Sequence, residues 1–445
     1  MGTEGYVPIF LRLNQKYTAA GMYFTYTLIL GLGLLLTLPY YIVRFRKYLP
    51  TLPDRLGFPS LPPLQHAVWV HAVSVGEVKA VEKLVERLRG QFPGKPLVVS
   101  TATPTGQQLA RERRDVIDHT FYFPIDLPFC VRRAVDRVNP QMVIIAETEI
   151  WPNFLRICRS KQIPVVMING RISDKSFPRY RLVRRWLRRV FADYMILGMQ
   201  SEMDRKRIEE IGADPQKVTV FGNLKYDVVG SSRVLDATLA KLLQSWSLVW
   251  IAASTTTGEE EMVLDAFAAI GKTHPDLKLV IAPRHANRFD QVEELVKQRG
   301  LGCVRRTRLV ERTAGLKPGG YIHQILLLDT IGELAAAFQY ATVVFMGGSL
   351  VPKGGHNVLE PARHQKPIIF GPHMENFRDM ACLFLDAKAA VQIQNAAELA
   401  PAVERLLADP HHASELGRRA RAIVEQNTGA TDRVLRFLRP VEAGR

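Results

Sequence analysis

Short runs of consecutive apolar residues, separated by stretches with helical spacing, recur along most of the chain. AVWVHAV (Ala67–Val73), PLVVSTA (Pro96–Ala102), MVIIAET (Met142–Thr148), PVVMING (Pro164–Gly170) and YMILGM (Tyr194–Met199) form a first series, with helical periodicity from Gly76 to Phe92. The pattern pauses between Lys225 and Trp246. A second series then follows: LVWIAAS (Leu248–Ser254), LKLVIAP (Leu277–Pro283), ILLLD (Ile325–Asp329), TVVFMGG (Thr342–Gly348) and PIIFG (Pro367–Gly371). Strands covered on both faces read as unbroken Val/Ile/Leu runs, whereas half-exposed strands alternate. The chain is therefore expected to be α/β, with two Rossmann-like domains over 44–227 and 248–445 and a linker over 228–247. Helices from Ala397 to about Leu438 are expected on the outside of the second domain. Doubly wound sheets bind ligands beyond the carboxyl ends of their strands, so two such domains predict facing sheets and a central ligand cleft.

One apolar run is too long for a strand. Ala19–Val43, AAGMYFTYTLILGLGLLLTLPYYIV, carries no charge. A membrane-spanning helix needs about 20 apolar residues. Tyr23, Phe24 and Tyr26 at one end and Tyr40 and Tyr41 at the other match paired interfacial aromatic belts. The segment is expected to be a single-pass, uncleaved transmembrane anchor over 19–43, behind a tail over 1–18. Arg44, Arg46, Lys47 and Arg55 follow it, against Arg12 and Lys16 before it. By the positive-inside rule, the domains then lie on the cytoplasmic side of the inner membrane. The cysteines (Cys130, Cys158, Cys303, Cys382) form no CxxC pair and read as reduced, mostly buried thiols, in keeping with that side.

The formal net charge of +16 calls for an anionic partner. Its densest cluster lies in NGRISDKSFPRYRLVRRWLRRVF, Asn169–Phe191. There Leu182, Val183, Trp186, Leu187 and Val190 make one stripe at helical spacing, and Arg181, Arg184, Arg185, Arg188 and Arg189 lie away from it. A basic amphipathic helix suits an anionic membrane surface or a phosphorylated lipid. Arg184, Arg185 and Arg188 are the candidate acceptor and membrane-surface residues. A single-strand nucleic-acid binder would interleave basic residues with exposed aromatics; here the cluster carries only Trp186, so no nucleic-acid partner is read.

Candidate chemistry sits just past the predicted strands. HAVSVGE (His71–Glu77) delivers Glu77 to a helix start, where a catalytic acid and a helix-dipole acid look alike. In AETEIWP (Ala146–Pro152), Glu147 and Glu149 follow an apolar strand, and alternation would point both to one side. In the second series, polar turns recur: AASTTTGEEE (Ala252–Glu261), APRH (Ala282–His285), DTIGEL (Asp329–Leu334) and FMGGSLVPKGGHNVLEP (Phe345–Pro361). Ser254, Thr255 and Gly258 are placed to offer hydroxyls and N–H groups to a phosphate at a helix N-terminus. Gly347, Gly348, Gly354 and Gly355 would let backbone approach a ligand. Arg284 suits a phosphate clamp and Glu360 a ribose diol. There is no GxxxxGK[ST], no GxGxxG after the first strand of either domain, and no DxD or HxxxH, so neither a P-loop, a dinucleotide fold nor a metal site is read.

Taken together, HAVSVGE, TATPTG (Thr101–Gly106), AETEIWPN, GRIS, QSE (Gln200–Glu202), GNLKYD (Gly222–Asp227), APRH, GGSL, GGHNVLEP and FGPH (Phe370–His373) resemble the Kdo transferases of lipopolysaccharide core synthesis. The motifs occur in the family's order, from the apolar segment almost to the C-terminus. The resemblance implies a GT-B fold, CMP-Kdo as donor, a lipid A precursor as acceptor, and inversion at the anomeric carbon with no metal or other cofactor. It implies Glu77 as general base, with Glu147 and Lys225 assisting the transition state. It implies CMP contacts from Pro283, Arg284, Ile331, Gly332, Glu333, Asn357, Val358, Leu359 and Glu360, to which the turn pattern adds Ser254 as a nucleotide-binding candidate. The chain departs from the pattern at Thr256 and Thr257, where the family commonly has His-Glu. It departs again at Ala286 and Val358, where proline is usual. A GT-B transferase or epimerase using another nucleotide sugar is the alternative.

Overall fold

The computed structural model describes residues 21–37, 46–228, 235–309 and 324–443, with side chains over 21–37, 49–227, 235–309 and 324–439. The chain divides into two compact units, Met1–Val228 with Thr428–Arg445, and Val229–Asn427.

The first unit is built on β1 (Ala67–His71), β2 (Leu97–Thr101), β3 (His119–Tyr122), β4 (Pro140–Ala146), β5 (Val165–Gly170), β6 (Ile196–Met199) and β7 (Val218–Val220). They form one sheet in the order β3-β2-β1-β4-β5-β6-β7. All its pairings are parallel, and Trp69 sits opposite Val98 on one side and Val143 on the other. The strand order reverses between β1 and β4. That reversal opens a crevice at the carboxyl edge of the sheet. Trp69 is fully buried, packs against Phe121 and Phe154 at ring distances of 5.1 and 5.2 Å, and satisfies its indole N–H on Ser100 Oγ at 2.8 Å.

The second unit repeats the design with β8 (Leu248–Thr255), β9 (Leu277–Pro283), β10 (Cys303–Arg305), β11 (Ile325–Leu327), β12 (Val343–Met346), β13 (Ile368–Phe370) and β14 (Val391–Gln392). Its order is β10-β11-β9-β8-β12-β13-β14, again all parallel. Its reversal lies between β8 and β12.

The division differs from the expected 248–445 at its end. The helix Ala430–Ala443 belongs to the first unit, not to the outside of the second. Val434, Leu435 and Leu438 are buried with Leu84, Leu88 and Phe221, each such side chain contributing about 1.5–3 kcal/mol. Asp227 caps the helix start, accepting from Gly429 N at 2.6 Å and Thr431 N at 2.5 Å. Within the expected linker, Ala237–Gln244 is a helix capped by Asp236.

Residues 21–37 are helical and packed on the first unit through one face. Tyr23 donates to Asp193 Oδ2 at 2.7 Å, Thr27 Oγ1 accepts from Asn153 Nδ2 at 2.9 Å, and the Tyr26 ring lies 6.0 Å from Trp186. The other face bears Phe24, Leu28, Ile29, Leu32, Leu35 and Leu36, all exposed. No helix of the described residues is long and apolar enough to cross a membrane. Residues 1–20, including the expected tail 1–18, and 38–43 of the expected anchor lie outside the described residues.

The basic segment is two helices, Phe177–Leu182 and Arg184–Phe191, interrupted at Val183. The interruption breaks the expected stripe. Leu187 and Val190 are buried, whereas Leu182 is 86% and Val183 47% exposed. Cys130, Cys158, Cys303 and Cys382 are free thiols, the first two buried and Cys382 exposed.

Candidate active site

The crevice of the first sheet is lined by residues that directly follow its two central strands. After β1, Ser74 takes an extended conformation and caps the helix Val75–Gln91, whose third residue is Glu77. Ser-x-x-Glu is the capping-box spacing, in which each side chain answers the other's backbone N–H. Here the two side chains answer each other instead. Ser74 Oγ donates to Glu77 Oε1 at 3.0 Å, and Glu77 Oε2 accepts from Val73 N at 2.7 Å. The carboxylate is thereby held back over the loop at the strand end, with the residue only 7% exposed. The TATPTG turn braces this loop: Ala102 and Thr103 both donate N–H groups to Val73 O. A Cβ at Gly106 would lie 2.9 Å from Thr103 Oγ1 and 3.3 Å from Ser74 C, so only glycine permits the approach.

After β4, Glu147 adopts a left-handed φ of +61°. A non-glycine residue enters that region at a cost of order 1–3 kcal/mol, and such strain persists only where the surroundings enforce it. Glu147 N donates to Ile168 O at 2.8 Å, and Glu149 N to Glu147 O at 3.1 Å. The turn at Glu147 ends the strand, so the alternation expected for Glu147 and Glu149 does not apply. Both acids instead belong to the turn, where the Tyr194 hydroxyl donates to Glu149 O at 2.5 Å.

Lys225 completes the group. Leu224 N donates to Asn169 Oδ1, and Lys225 N to Asn223 Oδ1, each at 3.0 Å. This fixes the turn so that Lys225 Nζ lies 3.5 Å from Glu147 Oε1. The cluster thus holds three carboxyls and one ammonium. Burial pushes the Glu77 carboxyl up to about 7, with the Glu147 charge adding and the Val73 N–H, Ser74 and Lys225 opposing. Burial likewise raises Glu149 to about 7, helped by the charges of Glu77 and Glu147. His71, by contrast, is a core residue. Its Nδ1 lies 2.9 Å from Ser100 Oγ, its ring stacks 3.9 Å from Phe123, and burial lowers its pKa to about 3.

In the second unit, the predicted nucleotide residues lie at or past the carboxyl ends of β8, β9, β11 and β12. Arg284 is exposed and tied by its N–H to Thr255 O at 2.9 Å, with Pro283 buried before it. Ile331 is 81% exposed beside Gly332. Glu333 is gripped by Arg306 at 3.0 Å and by the Thr330 hydroxyl. Asn357 Oδ1 accepts from Leu359 N at 3.1 Å, and Val358 and Leu359 are buried. Glu360 stands in the first turn of the helix Leu359–Arg363.

At the β8 turn the Thr256 N–H is taken by a residue of the chain, together with N–H groups of the loop after β12. Glu259, fully buried, accepts from Thr256 N at 3.1 Å, Gly348 N at 2.6 Å, Ser349 N at 3.0 Å and Leu350 N at 2.9 Å, and from the Thr256 hydroxyl at 3.1 Å. Ser254 sits at φ +53° at the end of β8, and Thr255 is buried. Gly347, Gly354 and Gly355 are also closely packed within the unit. A Cβ at Gly347 would fall 2.6 Å from Ser254 O, at Gly354 2.3 Å from Asn376 Nδ2, and at Gly355 2.3 Å from Met374 Sδ.

The structure brings Glu77, Glu147 and Lys225 together and adds Glu149 to them. Arg184, Arg185 and Arg188 lie on an exposed helix face, apart from that cluster. Sequence reasoning missed Glu259. In GEEE any of three acids reads as a helix-dipole partner, and only the three-dimensional path of 347–350 singles one out.

Comparison with known proteins gives the family and the fold. The family described as 3-Deoxy-D-manno-octulosonic-acid transferase (kdotransferase) matches residues 50–228. The chain is 33% identical over 405 residues to the 3-deoxy-D-manno-octulosonic acid transferase of Haemophilus influenzae, covering 89% of this chain and 93% of that protein. It is 31% identical over 403 residues to that of Bordetella pertussis, covering 88% and 91%. Among solved structures, UDP-GlcNAc 2-epimerase from Neisseria meningitidis bound to UDP-GlcNAc superposes with a TM-score of 0.55 at 11% identity, covering 85% of this chain and all of that one. At that identity the likeness speaks for the fold alone, two parallel-sheet α/β domains of the GT-B kind.

Proposed function

The chain belongs to the 3-deoxy-D-manno-octulosonic acid (Kdo) transferase family, and from that premise we propose that it is an inverting glycosyltransferase moving Kdo from CMP-Kdo to a lipid A precursor, with Glu77 as general base. A sugar hydroxyl is a far weaker acid than water at neutral pH can ionise, so its proton must leave as the new bond forms. In this reading Glu77 takes that proton while the acceptor oxygen attacks the anomeric carbon of Kdo. The bond from that carbon to the CMP phosphate breaks on the opposite side, and its electron pair leaves with CMP. The observation that carries the reading is the Glu77 carboxylate itself. It is buried, anchored by Val73 N and Ser74 Oγ, and raised to about 7, where a base combines availability with basicity.

Lys225 and Glu147 act beside it in this reading, Lys225 supplying positive charge close to the reacting carboxylates. In the second unit, Arg284 balances the leaving phosphate, while Ser254, Pro283, Ile331, Gly332, Glu333, Asn357, Val358, Leu359 and Glu360 surround the nucleotide. Guanidinium groups stabilise a departing phosphate without needing a metal.

We also assign membrane attachment to the 19–43 segment, with the two units on the cytoplasmic side of the inner membrane. The support is the apolar face Phe24, Leu28, Ile29, Leu32, Leu35 and Leu36, together with exposed Leu182 and Val183 among Arg181, Arg184 and Arg185. An acceptor that carries acyl chains is met at such a surface.

Incubation of the full chain with CMP-Kdo and a lipid A precursor, followed by mass spectrometry of the lipid, tests the function. A mass increase by Kdo supports it. Its absence with folded protein, together with thermal stabilisation by UDP or GDP but not CMP, would replace the donor.

A further inference from the structure

In the second unit an amide nest between β8 and β12 already holds an anion. Four backbone N–H groups, from Thr256, Gly348, Ser349 and Leu350, converge on one point at 2.6–3.1 Å, joined by the Thr256 hydroxyl. Backbone amides converging at a helix start make the kind of nest in which phosphates bind. Here the chain supplies its own anion, the Glu259 carboxylate, with no exposed surface. Both its oxygens are engaged: Oε1 by Ser349 and Leu350, Oε2 by Thr256 and Gly348. A donor phosphate brought to the same amides would meet a like charge and find the donors taken.

The neighbouring turn offers the complementary set. The His356 ring lies on the same loop, close enough to Gly348 that a Cβ there would come within 3.0 Å of Nε2. Among the described residues, His356 Nε2 is buried without a hydrogen-bond partner. Other buried atoms, His71 Nε2 among them, are unpaired too; His356 differs in standing past the carboxyl end of β12, where a parallel sheet binds its ligand. Burial, with the charges of Arg284 and His285 adding, holds the ring neutral by lowering its pKa to about 4. The ring therefore offers one N–H to an oxygen, and Arg284 supplies the charge.

We propose that Glu259 is a positioning residue, a built-in anion that closes the amide nest between β8 and β12, and that it thereby commits the donor's phosphate to Arg284 and His356. The assignment rests on the reading of this unit as the CMP-Kdo site. It gives the phosphate side-chain partners in place of backbone ones, and it adds His356 to the donor site.

Calorimetric titration of the full chain with CMP and with cytidine separates the phosphate's share of binding from the nucleoside's. His356→Ala should weaken CMP roughly 10- to 100-fold, as for a hydrogen bond to a charged group, and leave cytidine within about twofold. Glu259→Ala should also weaken CMP, and added formate, which fits the vacated nest, should restore part of that affinity. An unchanged CMP-to-cytidine ratio in His356→Ala overturns the proposal, as does equal loss of both ligands. Tighter CMP binding by Glu259→Ala overturns it too, because the phosphate would then be using the nest. Should Glu259→Ala not fold, His356→Ala decides alone. A wild-type chain that binds neither CMP nor cytidine removes the donor-site reading itself, and this assignment with it.

Discussion

Lys225 Nζ stands 3.5 Å from Glu147 Oε1, and both side chains are about one-third exposed, at 33% and 31%. An ion pair that open to water adds little to stability, typically below about 1 kcal/mol. Its effect falls instead on the neighbouring acids. The ammonium opposes the upward shift of Glu77 that burial and Glu147 produce. Lys225→Met should therefore move the rising limb of the pH–rate profile, set by Glu77 losing its proton, to higher pH. The rate at pH 7 should fall in consequence. A limb that stays in place would show that Lys225 does not tune the base.

Glu77→Gln keeps the size of the side chain and removes its basicity. Loss of a general base costs about 10²–10⁴ in rate. Transfer by Glu77→Gln should drop by that factor, and the limb near pH 7 should vanish with it. A folded Glu77→Gln protein that transfers at the normal rate would place the base elsewhere, and Glu149 would be the next residue to examine.

Glu149 carries a prediction about stability. Its carboxyl is raised from 4.5 to about 7, chiefly by burial. The native state therefore keeps a proton between about pH 4.5 and 7 that the unfolded chain has released. Linkage then requires the unfolding free energy to fall as pH rises through that window. Glu149→Gln removes this slope. Between pH 4.5 and 8 the variant should lose up to about 3 kcal/mol less stability than the wild type, measured by urea unfolding of each. The lowered pKa of His71 acts in the opposite direction, but it is common to both proteins and cancels. Equal pH slopes would mean that Glu149 is not buried as described.

What could be read in advance follows from where each residue sits in the sheet. Every interior strand announces itself as an apolar run, because both its faces are covered. β3, β7, β10 and β14, the four edge strands of the two sheets, went unread. HTFY, VTV, CVR and VQ are short and mixed, as edges exposed to water are. Glu77 and Glu147 were legible because a strand end fixes their place in a parallel sheet. Glu259 was not, since its partners Gly348, Ser349 and Leu350 come from a segment about ninety positions later. The C-terminal helix was misplaced for the same reason. The Asp227 carboxylate that caps it lies 202 positions before Gly429, and no local pattern carries that contact.

Arg284 allows a binding prediction that does not need the lipid. A ligand at 100 times its dissociation constant stabilises the folded state by about 2.7 kcal/mol. CMP at such a concentration should raise the melting temperature of the wild-type protein. Arg284→Ala, having lost a charged partner of the phosphate, should show much less protection at the same concentration. Full protection would remove Arg284 from the donor site, whatever holds the base.

The basic surface predicts how activity responds to salt. Arg184, Arg185 and Arg188 are exposed on the helix Arg184–Phe191, next to Leu182 and Val183, which are exposed as well. The same helix carries Trp186, which meets Tyr26 of the apolar helix over 21–37 at 6.0 Å. Charge and apolar surface are thus adjoining. Each basic residue near an anionic bilayer contributes about 1 kcal/mol, an attraction lost within a Debye length of about 8 Å at physiological salt. Replacing all three arginines with Gln should lower transfer to acceptor in anionic vesicles at low salt. The difference from wild type should shrink as salt rises, and both should act alike on a detergent-solubilised, short-chain acceptor. If the loss is the same at every salt concentration, the arginines support the fold. If there is no loss at all, the membrane is held by the apolar face Phe24, Leu28, Leu32 and Leu35 alone, and Leu28→Asp with Leu32→Asp should then release the protein from vesicles in a flotation assay.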